Sequence, residues 1–581
     1  ILEIVLGLML KQFIRKIKRQ LDSPIYFSGK YQDINPEDIF LDSTNLPGFE
    51  EHRFEGRIEK PMGQKTFFAM KIILTVIILA LVSKLWVLGI KQGNIYTQIS
   101  ENNRLEQTLI FANRGLIYDR NMLELANNAI KKVDGAFAGR YYVPIKGLAH
   151  TVGYLKYPLS DKSGIYYEEN YRGRDGVERA FNDLLSGTNG LKLRETDVFG
   201  NITSESVIEK PKDGSPIVLS IDAYLTEALH KAIGSLAKDK GFVGGAGVLM
   251  DVNTGEILAM TSFPEYDQNI LTNGTDRETI NLWVNNSSKV FLNRTIGGLY
   301  TPGSILKPIV ALAALNEKII SPTKKILSTG SIIVPNPYDP SKPSIFKDWK
   351  AHGWTNMREA LAVSSDTYFY SIGGGYEDQK GLGISSLDKY FQIFSLTEKT
   401  GIELSGEVEG VIPTPEWKKE KFDGEIWRLG DTYITAIGQY GTQVTPLNAA
   451  RFIAVIANGG RVLTPSLLKG GNPKSVEHLV EFDNADWEIV REGMREGVTY
   501  GTSVGLNVPY VKTAAKTGTA EVGSAKLYVN SWSVGFFPFE HPRFAWAVVM
   551  ERGPSLNTFG ATFVVRQLFD WMAVNTPEYF E

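Results

Sequence analysis

The apolar positions of this chain follow different patterns in its three parts. In the first part, Phe67–Ile90 is an almost continuous apolar run whose centre, Ile72–Ser83, contains no charge. About twenty apolar residues are enough for a helix to cross a bilayer, and Lys71 and Lys84 can extend towards its edges. The run predicts a single transmembrane helix over 66–90, with a buried core helix as the alternative.

The second part has short apolar segments separated by turn residues. Within FANRGLIYDRNMLELANN (Phe111–Asn128), Leu116-Ile117-Tyr118 is followed by the turn Asp119-Arg120-Asn121, which is a hairpin signal. Between residues 91 and 213 we find strands, turns and short helices but no cluster of reactive side chains. Residues 91–213 are therefore predicted to form a mostly β domain without catalytic residues, which we call the pedestal.

In the third part, residues 214–581, strand-like runs occur near both ends. The predicted strands are Pro216–Ile221, Gly245–Met250, Glu256–Ser262, Val511–Ala520, Ser531–Pro538 and Phe544–Glu551. Helices are predicted at Tyr224–Ala237 and Ala561–Ala573. Strands from both ends, together with a terminal helix, favour one antiparallel sheet covered by helices. The predicted fold class is α/β (α+β).

Composition limits the possible functions. The net charge of −3 provides no basic footprint for nucleic acid. The absence of Cys excludes disulfides, thiolate metal ligands and Cys nucleophiles. A chain without Cys also suits a protein that works outside the cytoplasm without a disulfide framework.

Charges around the apolar run predict the orientation of the chain. The basic residues before it are Arg53, Arg57, Lys60 and Lys65, and those just after it are Lys91 and Arg104. By the positive-inside rule, residues 1–65 are predicted to be cytoplasmic, and the chain after about Lys91 is predicted to lie outside. The basic amphipathic stretch 1–20 suits contact with anionic lipid. We see no small-residue cleavage site after the run, so we expect a retained anchor.

The first candidate for chemistry is YTPGSILKP, Tyr300–Pro308. Thr301 is a suitable helix N-cap and Pro302 a suitable first helical residue. Ser304 would then lie in the first turn, with Lys307 one turn later on the same face. A hydroxyl beside an amine and free backbone N–H groups is what an acyl-transfer nucleophile requires.

Two further segments strengthen this hypothesis. In LAVSSDTYFY, Ser364, Ser365 and Asp366 follow a predicted short helix, Met357–Val363, and VKTAAKTGTAE places Lys516-Thr517-Gly518-Thr519 on a predicted strand. S-x-x-K, S-D-N and K-T-G form the set used by class A β-lactamases and penicillin-binding proteins. All three elements occur here in that order, although Asp366 replaces the commoner Asn.

Each of these residues can be given a chemical role. Lys307 can deprotonate Ser304 only if it is neutral, which needs a pKa well below the reference of about 10.4. Burial and the second cation, Lys516, both act in that direction. Ser364 can pass a proton between the two amines. Asp366 can orient Lys307 and the substrate amide, although a carboxylate there also favours charged Lys307.

The third motif is predicted to bind the substrate. Gly518 leaves room for a peptide backbone beside the strand, and Lys516 with Thr517 or Thr519 can bind a carboxylate. The backbone N–H groups of Ser304 and Thr519 are the natural oxyanion donors.

TPGSILKP, SSD and KTGTAE together resemble the transpeptidase domain of class B penicillin-binding proteins. NRGLIYDRN and GRDGVERAFNDLLSGTNG are similar to pedestal motifs of that family. DWKAHGWTNMREALAVSSDTYFY, with Asp in the second motif, is most similar to the elongation-type member, and a division-type paralogue is the nearest rival.

The resemblance implies a peptidoglycan D,D-transpeptidase. Ser304 would attack the D-Ala-D-Ala bond of a stem peptide, and the acyl group would pass to an amine of a neighbouring stem. β-Lactams would acylate Ser304, and no cofactor would be needed. A polytopic glycan polymerase of the elongation machinery would bind the membrane span and pedestal.

Some elongation-type relatives carry a metal site that uses a Cys near the second motif. Here Ser365 occupies that region, and Asp348 with His352 is predicted to be an unliganded loop.

Other functions remain open at this point. A β-lactamase would need a base for deacylation, and no Glu is identifiable for that role. A penicillin-sensing receptor would carry several spans and a cytoplasmic effector. A non-catalytic or weakly catalytic scaffold that activates a polymerase is the alternative from a different class. We also hypothesise that the resting site is misaligned until a partner acts.

Overall fold

The computed structural model describes residues 11, 15, 64–97, 105–133, 137–162, 164–196, 202–336, 339–470, 476–523 and 525–581. Almost all of the predicted cytoplasmic segment 1–65, including its basic amphipathic stretch, lies outside the described residues. The chain divides into two compact units, Ile1–Glu101 and Asn102–Glu581.

The first unit contains the predicted apolar helix. An α-helix runs over Gln64–Trp86 and continues as a π-helical segment, Val87–Lys91. Its side chains are unburied, and among the described residues it is the one helix long and apolar enough to cross a membrane. The predicted N-terminal apolar helix is therefore confirmed.

The second unit begins with the mostly β pedestal. The predicted hairpin is present, because Ile117–Tyr118 pairs antiparallel with Glu124–Val133, which in turn pairs with Phe137–Tyr142. A separate three-stranded sheet is formed by Leu105–Ile110, Gly190–Thr196 and Ile202–Glu209. The remaining pedestal elements are the strands Leu155–Lys156, Leu159–Ser160, Tyr166–Glu168 and Arg172–Gly173 and the helices Ala149–Val152, Gly176–Ala180 and Asn182–Ser186.

A buried ionic cluster joins the two pedestal motifs, NRGLIYDRN, which contains Arg114, and GRDGVERAFNDLLSGTNG, which contains Glu178. Glu178 Oε2 accepts a hydrogen bond from Arg114 Nε at 2.5 Å, and Glu178 Oε1 accepts one from Arg140 Nε at 2.7 Å. All three side chains are buried. The pKa of Glu178 is lowered, because the charges of Arg140 and Arg114 outweigh the burial that alone would raise it. The cluster supports a structural role for these motifs.

The rest of the second unit is built on one antiparallel sheet. Its strands, in spatial order, are Ile257–Phe263, Gly244–Asp251, Phe544–Pro554, Tyr528–Phe537 and Ala514–Val522. Successive residues point to opposite faces, so Val248 enters one core and Leu249 the other. The predicted antiparallel sheet covered by helices is confirmed.

Each face of the sheet is covered by two main helices. Ala223–Lys240 and Ala561–Asn575 pack on the face of Leu249. Lys307–Asn316 and Pro446–Asn458 contribute to the core on the other face. The Lys307–Asn316 helix is buried from Lys307 to Leu315, as its Ala- and Leu-rich sequence predicts.

One predicted strand is shorter and pairs elsewhere. Of Pro216–Ile221, only Ile217–Val218 is a strand, and it pairs parallel with Ile117–Tyr118 of the pedestal.

The remaining α-helices of the second unit, among the described residues, are Gln268–Asn273, Arg277–Val284, Arg294–Gly297, Met357–Val363, Asp366–Gly374, Gly383–Ile393, Pro415–Lys421, Leu429–Ala436 and Asn484–Thr499. Three small antiparallel pairs are Ile326–Ser328 with Gly353–Thr355, Ser331–Val334 with Ser344–Lys347, and Arg461–Leu463 with Val476–Leu479.

Candidate active site

Ser304 lies on a short 3₁₀ turn, Gly303–Leu306, that leads directly into the Lys307–Asn316 helix. The prediction of Thr301 as N-cap is wrong: Pro302 occupies the cap position, and no side chain caps the turn. Tertiary contacts hold this segment instead. Thr301 O accepts a hydrogen bond from Trp532 Nε1 at 2.9 Å, and Gly303 N donates to Gly438 O.

Residues three apart eclipse each other in a 3₁₀ turn, so Ser304 and Lys307 share one side of the segment. Ser304 is partly exposed and Lys307 is fully buried. Among the described residues, no side chain forms a hydrogen bond with Ser304 Oγ. Ser304 also lines a cavity, so its hydroxyl is available to a bound substrate.

Ser364 occupies a tight junction between two helices. The Met357–Val363 helix begins at a capping box formed by Asn356 and Glu359. Ser364 follows it in the left-handed conformation with φ 60°, which is uncommon for a residue other than Gly. Ser365 then caps the Asp366–Gly374 helix by accepting a hydrogen bond from Tyr368 N.

Lys307 donates to three oxygens of this junction. Its Nζ lies 2.6 Å from Asp366 Oδ1, 2.8 Å from Ser364 O and 3.4 Å from Ser364 Oγ. An ammonium has three N–H donors, and all three have partners here. The contact with Asp366 is thus an ion pair in which the lysine side chain is fully buried.

Lys516 approaches the same hydroxyl from the sheet. Its Nζ lies 2.7 Å from Ser364 Oγ and 3.0 Å from Thr517 O. Burial, helped by the charge of Lys307, lowers the pKa of Lys516 well below its ordinary value, and Asp366 acts in the opposite direction. From the sequence, Lys307 can act as the base only if it is neutral, and its protonation remains open. Among the described residues, Lys307 has a carboxylate partner and Lys516 has none within ion-pair distance.

The Ala514–Val522 strand forms one edge of the main sheet, which leaves that edge open to an added strand. Gly518 pairs with Trp532. A Cβ at Gly518 would lie 2.6 Å from Pro302 O and 2.9 Å from Ile305 Cγ2. Glycine is therefore needed because the Ser304 turn packs against this strand, a reason that differs from the predicted room for substrate backbone.

One cavity of about 770 Å³ is lined by residues from all three motifs. Its polar lining includes Ser304, Ser364, Asp366, Thr517, Gly518 and Thr519. Sequence reasoning missed its aromatic lining, Trp349, Phe559 and Phe563, which carries no local motif. A larger cavity of about 1410 Å³ is lined by His230 and Glu265 and by none of the three motifs, so we assign the site to the smaller one.

The residues near the second motif do not fit a metal ion. Within the part of the chain that the structure describes, no three His, Asp or Glu side chains converge as ligands. His352 Nε2 lies 3.4 Å from Asp348 Oδ1. Both oxygens of Asp348 accept hydrogen bonds from protein groups, including Trp349 N and Thr367 N.

Comparison with known families identifies the class of protein. Residues 245–569 match the penicillin binding protein transpeptidase domain, and residues 136–219 match the penicillin-binding protein dimerisation domain. The chain therefore belongs to the penicillin-binding protein transpeptidase family.

Curated relatives narrow the class further. The peptidoglycan D,D-transpeptidase MrdA of Acinetobacter baumannii is 32% identical over 444 residues, covering 71% of this chain and 63% of that protein. MrdA of Escherichia coli K12 is 28% identical over 475 residues, covering 74% and 70%. The match thus spans just under two thirds of the Acinetobacter protein. Both relatives bear the name peptidoglycan D,D-transpeptidase.

Solved structures share the fold. PBP2 of Pseudomonas aeruginosa, in complex with WCK 5153, has a TM-score of 0.68 and 31% identity, covering 82% of this chain and 100% of that one. Helicobacter pylori PBP2, in complex with MreC, has a TM-score of 0.67 and 25% identity over 81% and 99%. A chain of a peptidoglycan synthase complex has a TM-score of 0.68 and 25% identity over 87% and 98%. The predicted fold class is confirmed.

Proposed function

We propose that this protein cross-links peptidoglycan stem peptides through an ester formed at Ser304. The observation that carries the proposal is the position of the Ser364 hydroxyl between two buried amines, Lys307 and Lys516, in the cavity that Ser304 lines. Such a connected set of proton donors and acceptors is what activation of a serine requires when no His is available.

The reaction has two transfers. Ser304 Oγ forms a bond to the carbonyl carbon of the penultimate D-alanine, and the bond from that carbon to the terminal D-alanine nitrogen breaks. The proton lost by Ser304 reaches the departing amine. An amine of a neighbouring stem then attacks the ester, the bond to Ser304 Oγ breaks, and the serine regains a proton. The N–H groups of Ser304 and Thr519 stabilise the oxyanion in both steps.

The resting charges suggest how a substrate starts the reaction. A peptide carboxylate bound beside Lys516, Thr517 and Thr519 favours the charged form of Lys516. The proton comes from Lys307 through the hydroxyl of Ser364, which leaves Lys307 neutral and able to deprotonate Ser304. Asp366 then orients Lys307 and the substrate amide. A β-lactam carries a carboxylate and a reactive carbonyl, so it acylates Ser304 by the same route.

The membrane arrangement and the partners belong to this proposal. We assign residues 1–65 to the cytoplasm, 66–90 to the inner membrane, 91–213 to the pedestal and 214–581 to the extracytoplasmic transpeptidase domain. The basic residues before the span support this orientation. The likeness to chains from a PBP2–MreC complex and a peptidoglycan synthase complex supports a glycan polymerase and elongation proteins as partners.

Covalent labelling tests the proposal. The full chain in detergent is mixed with a fluorescent penicillin, beside Ser304→Ala and the control Ser321→Ala, which changes an exposed serine outside the cavity. We expect label on the wild type and the control and none on Ser304→Ala. Equal labelling of all three, or no label on folded wild type, would favour the non-catalytic scaffold. Release of D-alanine from a stem peptide in the presence of an acceptor amine tests the second transfer.

A further inference from the structure

Asp348 is a buried carboxylate directly behind the second motif, outside the cavity that Ser304 lines. Its Oδ2 accepts hydrogen bonds from Ser365 Oγ and Thr367 N, each at 2.9 Å. The same oxygen accepts one from Ser328 Oγ at 3.1 Å. Asp348 therefore connects the second motif to the small sheet that contains Ser328.

The next residue, Trp349, holds the other end of the motif. Its backbone N–H donates to Asp348 Oδ1 at 2.9 Å, and its indole Nε1 donates to Val363 O at 3.2 Å. Two consecutive residues thus contact both ends of the segment from Val363 to Thr367. Ser364 lies between these two attachment points.

This segment needs external support. Ser364 has φ 60°, and a side chain in that region costs of order 1 kcal/mol or more unless surrounding contacts compensate. The Asp366–Gly374 helix also begins here, and its first N–H groups have no intrahelical acceptors. A carboxylate at Thr367 N supplies one acceptor and complements the positive end of the helix.

Asp348 remains charged at this position. Burial alone would raise its pKa, but the N–H groups of Thr367 and Asp366 and the charge of Lys307 outweigh it, so the pKa is lowered. A charged acceptor makes stronger hydrogen bonds than a neutral one. The two bonds to the second motif are therefore well suited to fix its geometry.

We propose that Asp348 is a positioning residue for transpeptidation, which acts through Ser365 and Thr367 to hold the Ser364 hydroxyl between Lys307 and Lys516. This inference rests on the proposed function of Ser304 and Ser364. Asp348 does not itself touch the reacting atoms.

Acylation kinetics test this inference. For the full chain and its variants, a fluorescent penicillin gives both the limiting acylation rate and the half-saturating concentration, and thermal unfolding gives Tm. Because a misplacement of about 1 Å can cost ~10²-fold, we expect Asp348→Ala to lower the limiting rate by ~10²-fold. The half-saturating concentration should change little, because the residues that contact the ligand remain.

Three companion variants separate positioning from stability. Ser365→Ala removes one bond to the motif and should lower the limiting rate, whereas Ser328→Ala removes a bond to the same oxygen on the other side and should not. Asp348→Asn retains an acceptor oxygen and should recover much of the lost rate. Ser365→Ala also removes the cap on Tyr368 N. In the double variant Asp348→Ala with Ser365→Ala the two losses of rate should therefore be less than additive, because both changes break the Ser365–Asp348 bond.

Two results would overturn the inference. One is wild-type acylation by Asp348→Ala. The other is an equal loss of rate in Ser328→Ala and Ser365→Ala that follows their Tm values, which marks a purely structural role. If Asp348→Ala does not fold, Ser365→Ala and Asp348→Asn decide the matter. Failure of the proposed function is a separate outcome, because the wild type would then carry no label at Ser304.

Discussion

Lys516 Nζ and Ser364 Oγ lie 2.7 Å apart although 152 residues separate them in the chain. The contact joins an edge strand of the main sheet to the junction between two helices on its surface. It also places a buried amine with a lowered pKa beside a hydroxyl that Lys307 contacts. The pair is therefore the best place to test how protons move in this site.

Lys516→Arg should strongly slow acylation. Arginine keeps the charge that would bind a carboxylate but cannot be deprotonated, so the exchange of a proton with Ser364 is lost. We expect the acylation rate to fall by ~10²-fold or more, the range typical of lost acid–base assistance. Lys512→Arg, at an exposed lysine paired with Glu540, is the matched control. A Lys516→Arg rate close to that of the control would mean that only charge is required.

Gly518→Ala should disturb the nucleophile rather than the sheet. The new Cβ would lie 2.6 Å from Pro302 O, so the turn that carries Ser304 must move. We expect at least ~10-fold slower acylation and a lower Tm. In Gly93→Ala no atom of the described residues lies within 4 Å of the new Cβ, and Gly93 does not line the Ser304 cavity, so this variant should acylate normally. Equal rates for the two glycine variants would contradict the packing that we describe.

Glu178→Ala should destabilise the pedestal. It removes the carboxylate shared by two buried guanidinium groups, Arg114 and Arg140, and a broken buried ion pair typically costs ~3–5 kcal/mol. Glu205→Ala removes a carboxylate shared with Lys192 and Arg194 at the surface, where solvent screens the ion pairs, so we expect a much smaller loss. Chemical denaturation of the full chain measures both. Similar losses would show that burial of the cluster adds nothing.

Glu265 should make stability depend on pH. Its carboxylate accepts hydrogen bonds from Gly147 N and Ala149 N, but burial raises its pKa from 4.5 to about 7. The folded chain therefore binds a proton more tightly than the unfolded chain, so this group's contribution to stability falls as pH rises from about 4.5 to about 7. The total effect is at most ~3 kcal/mol.

A difference measurement isolates this effect. The neighbouring His230 has its pKa lowered to about 4 by burial, so its contribution rises with pH over part of the same range. Glu265→Gln leaves His230 in place and cannot ionise. We expect its unfolding free energy, relative to the wild type, to be higher at pH 8 than at pH 5. A difference that stays constant between these pH values would contradict the assignment.

Local sequence patterns were enough to recognise the three motifs and to predict most strands of the main sheet. The strand-like run Phe544–Glu551 was predicted from its apolar residues, and the observed strand Phe544–Pro554 buries both of its faces, each in a different core. The prediction of Thr301 as an N-cap failed. Its carbonyl oxygen instead accepts a hydrogen bond from Trp532, which lies far along the chain. The contact between Lys307 and Asp366 also depends on a distance that no spacing rule provides. In both cases the partner comes from another element of the fold.

The Ile217–Val218 strand has a practical consequence for preparing the catalytic part alone. Ile217 N and Leu219 N donate to Leu116 O and Tyr118 O, and Arg120 N donates to Ile221 O. Truncation at residue 214 would separate these groups and uncover the apolar side chain of Ile217. A well-behaved fragment for crystallisation or inhibitor screening should therefore start near residue 102, the beginning of the second compact unit, so that the pedestal is kept with the catalytic part.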